Sequence, residues 1–346
     1  MDHTRGAAGQ RYSGLIRRVA PVVGLFFLAP LIAEFLLGNI SVSEFSSILF
    51  LAPLYGGGAV LVREVTRRSG RGWPTMILLS LAYALVEEGL ATQTLFNPSY
   101  YGLDLLSPAR IPGVGMGAWW TLFVLTLHMV WSMSVSIALV EALVPARRST
   151  PWLGRFGLGV AGALYLLGAV LIGAATYQSE RFIAAPFQLI GTAIAVVVVV
   201  LLAFRAGSGD CPVGGGAVPG PWLVGVFALL TSSLFMGLHL LLTPGWLTVV
   251  LYLALYAVVI GLVTVGSRRA GWSDAHRLAL AGGALVTYAW YGFPATPILG
   301  ATGTEDLIGN IVFATVALAL LAAAAYTVHT VPRTHSGVSR VSARSG

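Results

Sequence analysis

Apolar runs of 18 or more residues recur from one end of this chain to the other, and they restrict its possible folds more than any motif does. A helix rising about 1.5 Å per residue needs about 20 residues to cross a hydrocarbon layer of about 30 Å. Ten such runs fit, at roughly 19–38, 46–62, 73–95, 118–144, 152–175, 185–205, 222–243, 246–266, 277–294 and 307–329. A membrane β-barrel would instead show segments of about 10 residues with strict alternation. Composition agrees with helices in lipid: 57% of residues are hydrophobic and 10% charged, against about 25% charged in a soluble domain. The expected fold class is all-α, a polytopic transmembrane helical bundle of about ten spans.

All 20 basic residues are arginine, and their placement sets an expected orientation. Arg5, Arg11, Arg17 and Arg18 precede the first span. Arg63, Arg67, Arg68 and Arg71 follow the second, and Arg147, Arg148 and Arg155 the fourth. Arg205 ends the sixth, Arg268, Arg269 and Arg277 follow the eighth, and Arg333, Arg340 and Arg344 lie in the tail. Only Arg110 and Arg181 fall on the other side. Arginine excess marks the cytoplasmic side, so both termini are expected there, in a multi-pass protein of a bacterial inner (plasma) membrane. The first run, from about Val19 to Leu37, is too long for a signal-peptide core and reads as an uncleaved span. The net charge of +7 comes from these clusters, so nucleic acid is not an expected partner; membrane lipids are.

Loops are short, which makes residues 1–330 one transmembrane domain followed by a disordered basic tail, 331–346. The Gly/Pro-rich segment 207–221 has linker composition and lacks the lysine of a phosphate-cradling loop. One cysteine, Cys211, excludes an internal disulfide and a Cys-based metal site. The segment from Asn97 to Gly117 is rich in Pro, Gly and aromatic residues and suits a cap over the outer mouth. Phe-Leu-Ala-Pro-Leu occurs at 27–31 and 50–54, in spans of opposite direction, so Pro30 and Pro53 suggest two kinked helices. Gly56-Gly57-Gly58 suggests close approach by a neighbouring backbone.

Within this frame the ionisable residues at membrane depth stand out. A charged side chain at the bilayer centre costs about 2.5–3.5 kcal/mol even on a lenient scale, yet Glu87 and Glu88 are adjacent in the third span. Glu34, His128 and His239 reach the same outer stratum from the first, fourth and seventh spans. Each lies on a polar stripe at helical spacing: Ser80, Tyr83, Glu87 and Thr94; Thr121, His128, Ser132 and Ser136; Ser232, Phe235, His239 and Thr243. The expected catalytic set is Glu87, Glu88, His128 and His239. An outward-opening cavity would be lined by Glu34, Tyr83, Thr92, Ser132, Phe235 and Thr243. Glu141, near Arg147 and Arg148, reads as a snorkelling or paired surface charge.

Three chemistries suit such a set. Glutamate with two histidines can activate water and stabilise an oxyanion. The same groups could hold a divalent metal with one open position, although no HExxH is present and no cofactor is otherwise expected. A glutamate can also relay protons in a transporter. Glu87-Glu88, a histidine in the next span and Phe235-Met-Gly-Leu-His239 resemble the CAAX-protease and bacteriocin-processing (CPBP, or Abi) family of glutamate-dependent intramembrane proteases. That resemblance implies that Glu87 or Glu88 activates water while His128 and His239 position it. It departs from the family's EExxxR at Thr92, from FxxxH at Val124, and at Thr243 where asparagine is the family residue. The leading expectation is therefore glutamate-type intramembrane proteolysis of a membrane-protein substrate, with proton-coupled transport of a small solute as the runner-up and a non-catalytic scaffold or immunity role third.

Overall fold

The computed structural model describes residues 19–206 and 216–330. The expected disordered tail and most of the Gly/Pro segment, with Cys211, lie outside them. Among the described residues, nine helices are long and apolar enough to cross a membrane: α1 (Val19–Leu36), α2 (Val42–Arg68), α3 (Trp73–Ala91), α4 (Ala118–Leu143), α5 (Arg155–Glu180), α6 (Pro186–Arg205), α7 (Pro221–Leu241), α8 (Trp246–Ser267) and α10 (Thr304–Thr330). Between the last two lies α9 (Asp274–Tyr291). The chain is a polytopic all-α membrane bundle.

α9 is less apolar than the others because its polar groups face protein. Asp274, His276 and Arg277 stand in its first turn, where His276 Nδ1 accepts from the backbone N–H of Ser273 at 3.1 Å. Thr287 is fully buried and exchanges a hydrogen bond with Ser232 of α7 at 2.6 Å. In hydrocarbon such hydroxyls need a partner, and neighbouring helices supply it.

Burial separates inner from peripheral helices. In α4, 72% of the most apolar stretch is buried, against 11% in α5 and in α6. α5 lies along α2, α6 along α3 and α7 along α9, with their remaining faces apolar and open to lipid. The glycine run on α2 permits this closeness. A Cβ on Gly56 would sit 2.0 Å from the carbonyl oxygen of Phe26 in α1, and one on Gly57 would sit 3.1 Å from the backbone of Tyr165 in α5. A Cβ on Gly58 would come within 2.3 Å of the Tyr83 ring.

Three inner helices are not regular. α1 becomes π-helical over Leu31–Leu36, α3 over Glu87–Ala91 and α4 over His128–Val135. Pro30, which offers no N–H, opens the first of these segments. α3 ends at Ala91, short of the expected 95, and Gln93 then adopts φ +57°, which turns the chain sharply.

The outer segment 97–117 folds over the bundle. β1 (Arg110–Ile111) and β2 (Met116–Gly117) form a short antiparallel hairpin. The segment is tied to the α5–α6 connection: the Tyr101 N–H donates to Glu180 at 3.1 Å, and Gln188 Nε2 donates to the Val114 carbonyl at 2.8 Å.

Candidate functional site

Glu34, Glu87, Glu88 and His128 all stand in π-helical segments. An inserted residue widens the turn and rotates the following side chains, and such bulges are frequent at functional sites. Glu87 and Glu88, about 100° apart on a regular helix, here both reach one imidazole. His128 Nδ1 lies 2.9 Å from Glu87 Oε2, and His128 Nε2 lies 2.7 Å from Glu88 Oε1. The three residues are 2%, 4% and 7% exposed respectively.

The surroundings of the two carboxylates differ. Glu88 Oε2 accepts from Thr94 Oγ1 and, at 3.4 Å, from Thr92 Oγ1. Trp120 Nε1 in turn donates to Thr94 Oγ1 at 3.2 Å. The turn at Gln93 brings Thr94 back over Glu88, which corrects the expectation that Thr94 continues the face of Glu87. Thr92 also donates to the Glu87 carbonyl at 2.9 Å, so the residue standing where the resembled family has arginine fastens the π segment. By contrast, Glu87 Oε2 meets only the imidazole, at 2.9 Å, and the buried Tyr83 hydroxyl stands beside the Glu87 carboxylate. The Tyr83 ring centroid lies 6.5 Å from that of His128 and 5.9 Å from that of Tyr165.

Glu34 completes the cluster from α1. Its carboxylate accepts from Asn39 Nδ2 at 2.8 Å and from the Tyr55 hydroxyl of α2. The Tyr55 ring centroid is 5.9 Å from that of His128. Ser132 Oγ lies 3.2 Å from His128 Nδ1. Glu34, Tyr83, Thr92 and Ser132 therefore gather around the centre. The centre is enclosed, however, where an outward-opening cavity was expected. Tyr100 of the outer segment packs above it, and burial and then the Glu88 carboxylate push its phenol above the usual value.

His239, Phe235 and Thr243 do not join this centre. His239 stacks on Phe123 at 4.5 Å and on Trp119 at 5.5 Å between centroids, and its Nδ1 has no partner. Phe235 lies in the same aromatic layer, 4.6 Å from Tyr252 and 5.4 Å from Phe123. Thr243 lies beyond the end of α7 and receives only a 3.5 Å contact at its carbonyl from Thr248. Three large aromatic side chains on α4 and α7 fill the space through which His239 would have to reach. The set Glu87, Glu88 and His128 offers ligand atoms within 4.8 Å of one another, close enough for one metal ion, and His239 is not part of it. A metal taking one imidazole nitrogen would need the glutamate on the other nitrogen to swing across.

A second charged cluster, which hydropathy and arginine placement do not reveal, lies at the arginine-rich end of α2 and α4. Glu141 is 4% exposed and pairs with Arg63 at 3.1 Å and Arg67 at 2.6 Å, so it is a buried charge where a surface one was expected. Arg63 had been read only as a topology marker. The available signal was the pairing Arg63-Glu64 at the end of an apolar run, opposite a glutamate at similar depth. A cleft of about 420 Å³ between α7, α9 and α10, lined by Trp222, Leu229, Leu278, Val286 and Leu321, is apolar and contains none of these groups.

The fold and the buried Glu–His–Glu centre define a multi-pass helical membrane protein with ionisable chemistry inside its bundle. The chain belongs to a family described as an uncharacterized membrane protein family, whose model matches residues 24–337. Comparisons with curated proteins and with solved structures return no match.

Proposed function

We propose that this protein is a proton-coupled transporter of a small solute, with Glu87, His128 and Glu88 as its proton relay. The observation that carries the reading is the single imidazole set between two carboxylates, one at each ring nitrogen. Imidazole in that position takes a proton on one nitrogen and gives one up from the other, which is how histidine shuttles protons. Both charge contacts of Glu87 and Glu88 among the described residues are to His128. With Glu34 nearby, bonded to Tyr55 and Asn39, three carboxylates lie around one imidazole in a medium of low dielectric. Negative charge in excess of one imidazolium must be offset by protons or a cation, and like charges this close share protons as a set. The enclosure of the centre fits an occluded stage of a cycle that exposes it to one side at a time.

A second reading, glutamate-dependent intramembrane proteolysis, is favoured by the Glu87 carboxylate standing between the Tyr83 hydroxyl and the His128 imidazole. A carboxylate oxygen beside a phenolic donor could hold a water and donate to an oxyanion. It is second because the partner expected for His128, His239, stacks in the aromatic layer instead.

One experiment separates them. Purified protein in vesicles carrying an internal pH dye is challenged with pooled amino acids, sugars, nucleosides and hydrophobic cations. Wild type is expected to show solute-dependent proton uptake that Glu87→Gln and His128→Ala abolish. Equal uptake by wild type and both variants across all pools would refute the relay. A difference in protein termini between host strains carrying the same variants would then favour proteolysis.

A further inference from the structure

The charged cluster at the arginine-rich end of the bundle is a closed network with a definite geometry. Arg63 is fully buried and uses its whole guanidinium. Nη1 contacts Glu64 at 2.5 Å and Nε contacts Glu141 at 3.1 Å. Nη2 donates to the carbonyls of Arg147, Arg148 and Thr150 at 3.1, 2.9 and 2.8 Å. The guanidinium carbon lies 3.5 Å from the centroid of the Trp152 ring. Glu64 accepts the backbone N–H groups of Trp152 at 2.8 Å and Leu153 at 3.1 Å. Arg67 clamps Glu141 through Nε at 2.9 Å and Nη2 at 2.6 Å. On the far side of the same loop, Arg148 pairs with Asp274 at the start of α9. The connection between α4 and α5 is thus held against α2 on one side and α9 on the other.

Burying so many charges is a poor route to stability, since apolar residues of similar size often do as well. Their best-attested use is to hold one arrangement against another. The placement on α2 points to which arrangements. Tyr55, bonded to Glu34 and stacked near His128, stands on the same helix as Arg63, about 12 Å apart along the axis. Between and beside them lie Pro53, which removes a helix hydrogen bond, and Gly56-Gly57-Gly58, where the backbones of α1 and α5 rest directly on α2 and move with it.

We propose that the Arg63–Glu64–Arg67–Glu141 network is a latch that closes the arginine-rich end of the bundle. Bending of α2 between Pro53 and Gly58 couples it to the Glu34–Tyr55 contact at the relay. The proposal rests on the transport reading for its purpose, but its test does not use a transported solute. When the latch opens, the 144–153 connection lifts from α2 and water reaches the buried side chains between latch and relay. Ile137, fully buried beside Val60 and Met76, marks that space.

The test uses full-length protein with Cys211→Ser and Ile137→Cys in vesicles of known orientation, labelled with a membrane-impermeant maleimide. Glu141→Gln or Arg67→Ala, each removing one charge from the latch, is expected to speed labelling from the arginine-rich face about tenfold and leave the opposite face unchanged. Folding is checked by thermal unfolding of each variant. If Glu141→Gln fails to fold, Arg67→Ala decides the matter, because Arg67 lies on the rim of the network with its side chain 11% exposed. Folded variants labelled within about twofold of the parent would make the network a static staple and overturn the proposal. Equal acceleration from both faces would mean general loosening and overturn it as well. Latch variants that open the site, combined with wild-type proton uptake in Glu87→Gln, would sink the relay and leave the latch standing.

Discussion

Gly56→Ala tests whether the contact between α1 and α2 sets the register of the centre. An alanine Cβ there would lie 2.0 Å from the Phe26 carbonyl oxygen and 2.6 Å from its carbonyl carbon and Cα, where ordinary contact begins at 3.4 Å. The obstacle is backbone, so α1 must retreat from α2 by about 1.4 Å, the difference between 3.4 and 2.0 Å. The adjacent residue, Tyr55, donates its hydroxyl to Glu34 of α1, and that bond cannot survive such a retreat. Overpacking costs about 1–3 kcal/mol. A hydrogen bond to a charged acceptor adds about 1.5–3 kcal/mol. Replacing glycine by alanine in a helix returns about 1 kcal/mol, which leaves a net loss of about 1.5–5 kcal/mol. Thermal unfolding in detergent reads this as a drop of several degrees. The control is Gly24→Ala on α1, where a Cβ meets nothing within 4 Å and stability is expected to hold or rise. Equal melting of the two variants would refute the argument that the glycine run fixes the spacing.

Other outcomes follow from single positions. Arg63→Ala leaves Glu141 and Glu64 short of a buried partner and is expected to cost about 3–5 kcal/mol. Arg63→Lys should recover little, because an ammonium cannot reach two carboxylates and three carbonyls at once; recovery of wild-type unfolding by lysine would contradict that. Arg181 ends α5 with φ +52°, a conformation glycine adopts without strain, so Arg181→Gly is expected to stabilise by about 1 kcal/mol in the same melts.

How far the sequence reached can be judged residue by residue. It placed Glu87, Glu88, His128 and Glu34 in one stratum because depth in a membrane follows from span boundaries and direction alone. It could not place His239, because depth says nothing about azimuth: Trp119 and Phe123 hold that ring in an aromatic layer, and only packing reveals which neighbours fill the space. It read Glu141 as a surface charge for the same reason: Arg63 and Arg67 come near it only once α2 and α4 lie side by side.

Hydropathy and arginine spacing, which report transfer free energy one residue at a time, determined that this chain is a helical membrane bundle of about ten spans. Helical period gave the polar stripes. Tertiary structure decided how those stripes meet. π-helical turns in α1, α3 and α4 bring Glu34, Glu87, Glu88 and His128 together, and the turn at Gln93 folds Thr94 onto Glu88. The glycine run on α2 sets how closely α1 and α5 approach it. Each of these depends on contacts between residues distant in sequence, and their free energy exists only when the helices are packed.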